Sequence, residues 1–188
     1  MLMDERLEEA FAAADRANFM PADVRHLASL DNAVPIGYGQ TISQPYTVGL
    51  MLKWLDPQPG DKVLDVGSGS GWTTALLAHL VGPKGKVYGV ERIPELAEFG
   101  RENAERLGIK NAEFSTAGEE LGLPEEAPFD RILVSAAADQ FPEELMAQLN
   151  INGKLVIPIQ HDILEITKTA KKDRDVRKHP GFVFVPLL

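Results

Sequence analysis

The chain has 188 residues, a hydrophobic content of 44%, a formal net charge of −9 and no cysteine. This length favours one domain with its own core. The acidic charge argues against a general nucleic-acid binder, which needs a basic face, and the missing cysteines exclude disulfides and thiolate chemistry. The four histidines lack the spacing of metal ligands, so we expect no metal. With neither a signal peptide nor an apolar run that could span a bilayer, we predict a cytoplasmic protein.

The first 33 residues are predicted to form a helical extension. Apolar residues recur at helical spacing within 4–16, which indicates an amphipathic helix packed against a larger body. A short second helix is predicted over about 21–29, with Pro21 in its first turn.

Residues 34–48, VPIGYGQTISQPYTV, have the composition of a loop, because two glycines and two prolines interrupt them. Both apolar and hydrogen-bonding side chains occur in this loop. On composition alone two interpretations stay open. The segment is either a lid that contacts substrate or a packed connector whose Thr and Ser cap the next helix. That helix is predicted over about 45–55.

The stretch 61–92, DKVLDVGSGSGWTTALLAHLVGPKGKVYGVER, has the pattern strand, glycine turn, helix, strand, acid. Proteins of the α/β class bind ribose-bearing nucleotides with this pattern. The glycines allow positive φ and a close approach of the backbone, and the helix N-terminus offers unpaired N–H groups. Glu91 follows the turn by about 20 residues, the distance at which an acid accepts hydrogen bonds from ribose hydroxyls.

The glycine spacing indicates which nucleotide is bound. The chain reads G-x-G-x-G, with Trp72 where a dinucleotide fold has its third glycine. This pattern disfavours an NAD pyrophosphate and is typical of S-adenosylmethionine (AdoMet) methyltransferases, in which an acid such as Asp65 precedes the first glycine by two residues. A turn that only connected a strand to a helix would not explain why Asp65, the glycines and Glu91 occur together.

Alternation of strands and helices continues to residue 159, which predicts the α/β class. A charged amphipathic helix is predicted over 94–107 and another helix over 142–149, and residues 169–179 are predicted to be an exposed hairpin loop. Apolar runs predict strands at 63–66, 87–90, 112–116, 129–136, 154–159, 163–167 and 182–187. We therefore predict a doubly wound, mainly parallel seven-stranded sheet with helices on both faces.

Five segments together resemble the protein-L-isoaspartate O-methyltransferase family: IGYGQTISQPY at 36–46, VLDVGSGSGW at 63–72, LPEEAPFDRILVSAAA at 123–138, NGKLVIPI at 152–159 and the closing FVFVPLL. The segment RANFMPADVRHLASLD at 16–31 is also similar to the one that precedes the family's loop. The match runs from about residue 4 to the end, and the GQTIS segment is its most specific part. The resemblance implies one AdoMet-dependent methyltransferase domain over 1–188 with a Rossmann-like fold. Its parts would be a helical extension (1–33), a substrate and cofactor loop (34–48), a core (61–159) and C-terminal strands (160–188).

The activity that this resemblance implies is transfer of a methyl group from AdoMet to the free carboxylate of L-isoaspartyl residues in damaged proteins, which leaves S-adenosylhomocysteine. The ester then collapses to a succinimide that reopens partly to normal aspartate. A carboxylate is already ionised at pH 7, so the reaction needs no general base.

The family motifs also imply site residues. Ser43 would be the catalytic residue that orients the substrate carboxylate, and Leu187 and Leu188 would line the substrate groove. The implied cofactor-binding residues are Thr41, Ile42, Ser43, Asp65, Gly67, Ser68, Gly69, Gly71, Glu91, Gly118 and Glu119. The chain has Ala117-Gly118-Glu119 where the family has Gly-Asp-Gly. From the residues alone, Glu119 or Glu120 would accept from the adenine amino group, or both would be exposed loop acids.

Two alternatives to protein repair stay open. One is an AdoMet-dependent methyltransferase with another acceptor, such as RNA or a small molecule, and the other is a non-catalytic AdoMet-binding module. Under the favoured interpretation we expect isoaspartyl proteins and peptides as substrates, no nucleic-acid or membrane partner, and a monomer.

Overall fold

The computed structural model describes residues 5–187. The helices are α1 (Glu5–Ala13), α2 (Pro45–Leu55), α3 (Trp72–Val81), α4 (Pro94–Arg106) and α5 (Glu143–Ala147). The strands are β1 (Val34–Gly37), β2 (Gln40–Ile42), β3 (Lys62–Val66), β4 (Lys86–Glu91), β5 (Ala112–Thr116), β6 (Phe129–Val134), β7 (Leu149–Ile159), β8 (Asp162–Lys168) and β9 (Arg174–Pro180). Short 3₁₀ helices span Arg16–Phe19, Arg25–Leu27 and Pro124–Glu126.

Strands β3 to β9 form one seven-stranded sheet in the order β5-β4-β3-β6-β7-β8-β9. Neighbouring strands from β5 to β7 pair in parallel, whereas β8 and β9 are added in antiparallel register. The prediction of a mainly parallel seven-stranded sheet is confirmed.

Apolar side chains cover both faces of the sheet, because successive residues of a strand point to opposite faces. In β3, Val63 joins the apolar cluster formed with α1 to α4, and Leu64 joins the opposite cluster, which includes α5. The sheet is therefore doubly wound. The central strands are apolar almost throughout because they are covered twice.

The N-terminal extension packs on α3 through Trp72. The indole Nε1 donates to the carbonyl of Ala14 at 2.9 Å, and the ring meets Phe11 edge-on at 5.6 Å. The predicted helix over 21–29 is reduced to the 3₁₀ turn Arg25–Leu27 and its flanking turns. The backbone N–H groups of Val24, Leu27 and Ala28 donate to the carbonyl three residues earlier, which is the pattern of 3₁₀ turns rather than of an α-helix.

The segment predicted as a loop over 34–48 folds as an antiparallel hairpin of β1 and β2, followed by α2. Tyr38 and Gly39 turn the chain with φ of +54° and +73°. The N-cap of α2 is Gln44, whose side chain makes no capping hydrogen bond, so the Thr and Ser cap of the connector interpretation does not form. That the segment contacts substrate stays a prediction.

The last strand of the sheet lies earlier in the chain than the prediction placed it. β9 occupies residues 174–180 and overlaps the predicted hairpin loop over 169–179. Residues 182–187 form only one parallel bridge, between Ala137 and Pro186. As an edge strand with its side chains mostly exposed, β9 has the charged composition of a loop. Residues 182–187 are apolar because part of the segment packs against the body of the protein.

Among residues 5–187, no helix combines the length and the apolar character that a bilayer span requires.

Candidate active site

A cavity of about 300 Å³ lies at the carboxyl ends of β3, β4 and β6. Open parallel sheets bind their ligands at this edge. Four groups of residues form its walls: the β1–β2 hairpin, the glycine turn, the ends of β4 to β6 with the loop after β5, and residues 185–187. The predicted site residues that line it are Thr41, Ile42, Ser43, Gly67, Ser68, Gly69, Glu91, Gly118, Glu119 and Leu187.

The glycine turn adopts backbone conformations that other residues rarely reach. Gly67, Gly69 and Gly71 have φ of +78°, +53° and +88°. The N–H groups of Gly67 and Ser68 donate to the carbonyl of Val90 at 2.8 and 3.1 Å, which ties the turn to β4. Gly71 ends the turn behind the cavity wall, against α4, where Asn103 Nδ2 donates to the carbonyl of Ser70 at 3.0 Å.

Glu91 at the end of β4 joins two parts of the cavity wall. Its Oε2 accepts from the Gly69 N–H at 2.9 Å, and its Oε1 accepts from the Ile93 N–H at 3.0 Å. The residue is 7% exposed and lines the cavity. Because a carboxylate offers about four acceptor positions, Glu91 can still accept from hydroxyl groups of a ligand.

Asp65 lies beneath the glycine turn and does not line the cavity. Its side chain is fully buried, and its Oδ2 accepts from the hydroxyls of Thr73 and Thr74 at 2.6 and 2.7 Å. Burial raises the pKa of the Asp65 carboxyl from 3.8 to about 6, although the two threonine hydroxyls oppose the rise. Asp65 therefore fixes the first turn of α3 from below.

Ser43 follows β2 directly and is half-buried at the cavity wall. The hairpin approaches the glycine turn closely, since a Cβ placed on Gly69 would lie 3.7 Å from Ile36 Cδ1. The fold thus brings Ser43 and Glu91 into one cavity although they lie 48 positions apart in the sequence.

The side chain of Ser68 is a polar group of the cavity wall. The Oγ of Ser68 is buried and has no hydrogen-bond partner within residues 5–187. Burying a hydroxyl without a partner costs free energy. A polar group of a bound nucleotide or amino-acid moiety would remove that cost, so the donor set of the cavity suits AdoMet.

Several wall residues were not identified from the sequence. Arg92 and Ile93 follow Glu91, Ser135 follows β6, and Pro186 precedes Leu187. Each stands within two residues of a strand end or of a predicted site residue, and that position was the available signal. Glu119 and Glu120 are both exposed on the cavity rim, so the choice between them stays open. Leu188 lies outside the described residues.

Within residues 5–187, no three His, Cys, Asp or Glu side chains are grouped so that they could hold a metal ion. That no metal takes part stays a prediction.

Comparisons with known proteins identify the family. The family model for protein-L-isoaspartate(D-aspartate) O-methyltransferase matches residues 1–188. The chain is 48% identical to the Aeropyrum pernix protein-L-isoaspartate O-methyltransferase, covering 100% of this chain and 74% of that protein, and 44% identical to the Methanopyrus kandleri enzyme, covering 100% and 85%.

A solved structure has the same fold. It is a Plasmodium falciparum chain assigned as a protein-L-isoaspartate O-methyltransferase and solved in complex with S-adenosyl-L-homocysteine. It superimposes with a TM-score of 0.86 at 31% identity, covering 100% of this chain and 92% of that one. The family, enzyme class and fold predicted from the sequence are confirmed. The chain therefore belongs to the protein-L-isoaspartate O-methyltransferase family, whose enzymes repair isoaspartyl residues.

Proposed function

We propose that this protein binds AdoMet in the cavity and transfers its methyl group to the free α-carboxylate of an L-isoaspartyl residue, with Ser43 orienting that carboxylate. One observation carries the proposal. Ser43, on the segment most specific to the family, and Glu91, at the position of a ribose-binding acid, line the same cavity. Neither an AdoMet-binding module nor an unrelated methyltransferase would need both in one place.

The cofactor would lie across the glycine turn. Glu91 would accept from the ribose hydroxyls while it keeps Gly69 and Ile93 in position. Gly67 and Gly69 would let the backbone approach the methionine part, where the partnerless Ser68 Oγ also lies. Gly118 and Glu119 would border the adenine. The Plasmodium falciparum relative was solved in complex with S-adenosyl-L-homocysteine, which supports the choice of cofactor.

Asp65 acts on the cofactor only through other residues in this scheme. Its carboxylate accepts from Thr73 and Thr74, and Thr73 lines the cavity. Asp65 would thus be a positioning residue for the start of α3.

AdoMet supplies an electrophilic methyl group, whose carbon–sulfur bond breaks with its electron pair going to sulfur as the carboxylate oxygen forms the new bond. The products are a methyl ester and S-adenosylhomocysteine. No proton moves, so the site needs no general base. The protein has to align the carboxylate, the methyl carbon and the sulfur, and such alignment can contribute about 7–11 kcal/mol. The hairpin would also shield the reacting groups from water, because water stabilises the separated charges more than it stabilises the transition state.

The test is a transfer assay with AdoMet labelled in its methyl group. Two synthetic peptides of identical sequence serve as acceptors, one with isoaspartate and one with aspartate. We expect label in the isoaspartyl peptide alone. Label in neither peptide, with AdoMet binding detected by calorimetry, would instead support the binding module. Label in RNA, with affinity falling steeply as salt rises, would support another acceptor.

We further propose that the protein acts in the cytoplasm as a monomer, without a metal or a nucleic-acid partner. The net charge of −9 supports the last point. Transfer that persists in excess EDTA, and a monomeric mass by light scattering, would agree with this.

A further inference from the structure

Arg16 is a buried cation that the function described so far does not use. The residue is 5% exposed, and the hydrogen bonds of its guanidinium within residues 5–187 go to backbone carbonyls. Nη1 donates to the carbonyl oxygens of Ala28 and Leu30 at 3.2 and 3.1 Å, and Nη2 to those of Asn32, Ile42 and Ser43 at 2.7, 3.3 and 3.0 Å. One side chain thus ties the N-terminal extension to the end of the β1–β2 hairpin.

A cation in this place is costly. Taking a charge out of water is unfavourable unless partners compensate it. Burial lowers the pKa of Arg16, Asp31 opposes that effect, and the guanidinium stays charged at neutral pH. The ring of Trp72, which lines the cofactor cavity, lies 5.4 Å from the guanidinium carbon. Arg16 therefore lies between the cofactor helix α3 and the hairpin that carries Ser43.

The orientation of the two peptide groups next to Ser43 shows which N–H groups the charge of Arg16 can polarise. The peptide bonds on either side of Ser43 are trans, so each N–H points opposite to the C=O of the same peptide unit. The Ile42 and Ser43 carbonyls point at Arg16. The N–H groups of Ser43 and Gln44 consequently point away from Arg16. A cation on the carbonyl oxygen of a peptide unit polarises it and makes its N–H a stronger donor.

We propose that Arg16 is a positioning residue for methyl transfer: it fixes the two peptide groups around Ser43 and polarises their N–H groups toward the substrate carboxylate. The proposal rests on the proposed function, because it assumes that an anionic substrate group binds beside Ser43. Under this proposal Arg16 affects the binding and orientation of the substrate carboxylate and not the binding of the cofactor. A purely structural Arg16 would instead affect cofactor and substrate binding to the same extent.

The test compares Arg16→Ala and Arg16→Lys with wild type in the labelled-peptide assay, and measures S-adenosylhomocysteine affinity by calorimetry. We expect Arg16→Ala to lower kcat/KM for the isoaspartyl peptide by about tenfold to a hundredfold, with a much smaller change in S-adenosylhomocysteine affinity. Guanidinium chloride at millimolar concentration should restore part of the activity of Arg16→Ala only. Lysine keeps the charge but has one nitrogen, so Arg16→Lys should lose activity to a smaller extent.

Arg6→Ala is the matched control. Arg6 is also in the extension and donates to a backbone carbonyl, that of Pro57 at 2.6 Å, but it does not contact the hairpin. We expect its kcat/KM to equal that of wild type.

Three results would overturn the proposal: kcat/KM of Arg16→Ala within threefold of wild type, equal losses of substrate turnover and S-adenosylhomocysteine affinity, or a folded Arg16→Ala that guanidinium does not rescue. If Arg16→Ala does not fold, Arg16→Lys decides, since unchanged kcat/KM in that variant contradicts the proposal and a selective loss supports it. A wild-type protein that labels no isoaspartyl peptide would overturn the proposed function as well. Transfer by wild type with unaffected Arg16 variants would overturn this proposal alone.

Discussion

Gly71 and Gly100 touch where the glycine turn meets α4. A Cβ placed on Gly71 would lie 3.0 Å from both the Cα and the carbonyl oxygen of Gly100, and one placed on Gly100 would lie 3.2 Å from the Gly71 nitrogen. Real Cβ atoms rarely come this close to backbone, so a side chain at Gly100 would displace the turn by a few tenths of an ångström. The position of the cofactor-binding turn therefore depends on a helix residue that does not line the cavity.

Gly100→Ala should weaken S-adenosylhomocysteine binding by about tenfold while costing little stability. The new methyl group would push on Gly71 and on the Phe114 ring, and overpacking of this kind costs about 1–3 kcal/mol. Alanine recovers about 1 kcal/mol in a helix interior, so the thermal midpoint should fall only slightly. Calorimetry and thermal melts measure the two effects. Glu102→Ala, on the exposed side of α4, should leave both unchanged, and unchanged affinity in Gly100→Ala would contradict the dependence on this contact.

Ser43→Ala should lower kcat for the isoaspartyl peptide by about 10- to 100-fold, because it removes a hydrogen bond to a charged group worth about 1.5–3 kcal/mol. S-adenosylhomocysteine affinity should stay nearly unchanged. Steady-state kinetics and calorimetry separate the two quantities, and Ser115→Ala, at an exposed position of β5, serves as the control. Equal losses of turnover and cofactor affinity would reject the assignment of Ser43 to the substrate.

Glu91→Ala should weaken AdoMet binding by about 1–3 kcal/mol, since ribose hydroxyls and two backbone N–H groups would all lose an acceptor. Glu91→Gln keeps one acceptor oxygen and should lose less. The matched control is Glu113→Ala, which removes an exposed acid of β5 that pairs with Lys86 and contributes little. An unchanged dissociation constant for Glu91→Ala would remove Glu91 from the site.

The pH dependence of stability should reveal Asp65. Its pKa is raised from 3.8 in the unfolded chain to about 6 in the folded protein, so the folded state binds the extra proton between these values and loses stability as pH rises through them. The full loss corresponds to about 3 kcal/mol. Above about pH 6 the Asp65 carboxylate is ionised while buried, and its full desolvation cost lowers the stability of the folded protein.

Asp65→Asn removes this titration and keeps a side chain of similar shape. Between about pH 4 and pH 7, the free energy of unfolding of wild type should fall by about 2 kcal/mol relative to the variant. Urea denaturation of both proteins at the two pH values measures the difference, in which the other titrating groups cancel. Parallel pH profiles would contradict a raised pKa for Asp65.

The strand and helix order of residues 61–159 was predictable because the apolar runs are long and because the glycines occur where the backbone needs a positive φ. Val63 and Leu64 had to be apolar to be covered on both faces, and Gly67, Gly69 and Gly71 all adopt the positive φ that their spacing suggested. The family resemblance was needed to predict the methyl acceptor, because no physical pattern in the core specifies it.

Long-range contacts explain what could not be predicted. In the sequence Arg16 looks like one charged residue of an amphipathic helix. Its hydrogen bonds to the carbonyls of Ile42 and Ser43 form only because the fold brings the hairpin beside it. The hydrogen-bond partners of Asp65 likewise depend on how α3 docks. The family motif implied a cofactor contact for Asp65, whereas in the structure its carboxylate accepts from Thr73 and Thr74. β9 was mistaken for a loop because pairing with β8, and not apolarity, makes it a strand.

The charges of β9 have a consequence for how the protein behaves beside other extended chains. β9 is an outer strand of the sheet, and an outer strand with free backbone groups invites other chains to add to it and aggregate. Arg174, Asp175, Arg177 and Lys178 are exposed along it. Desolvating these charges would oppose such addition. The charged composition of β9 therefore protects this edge of the sheet from pairing with other extended chains.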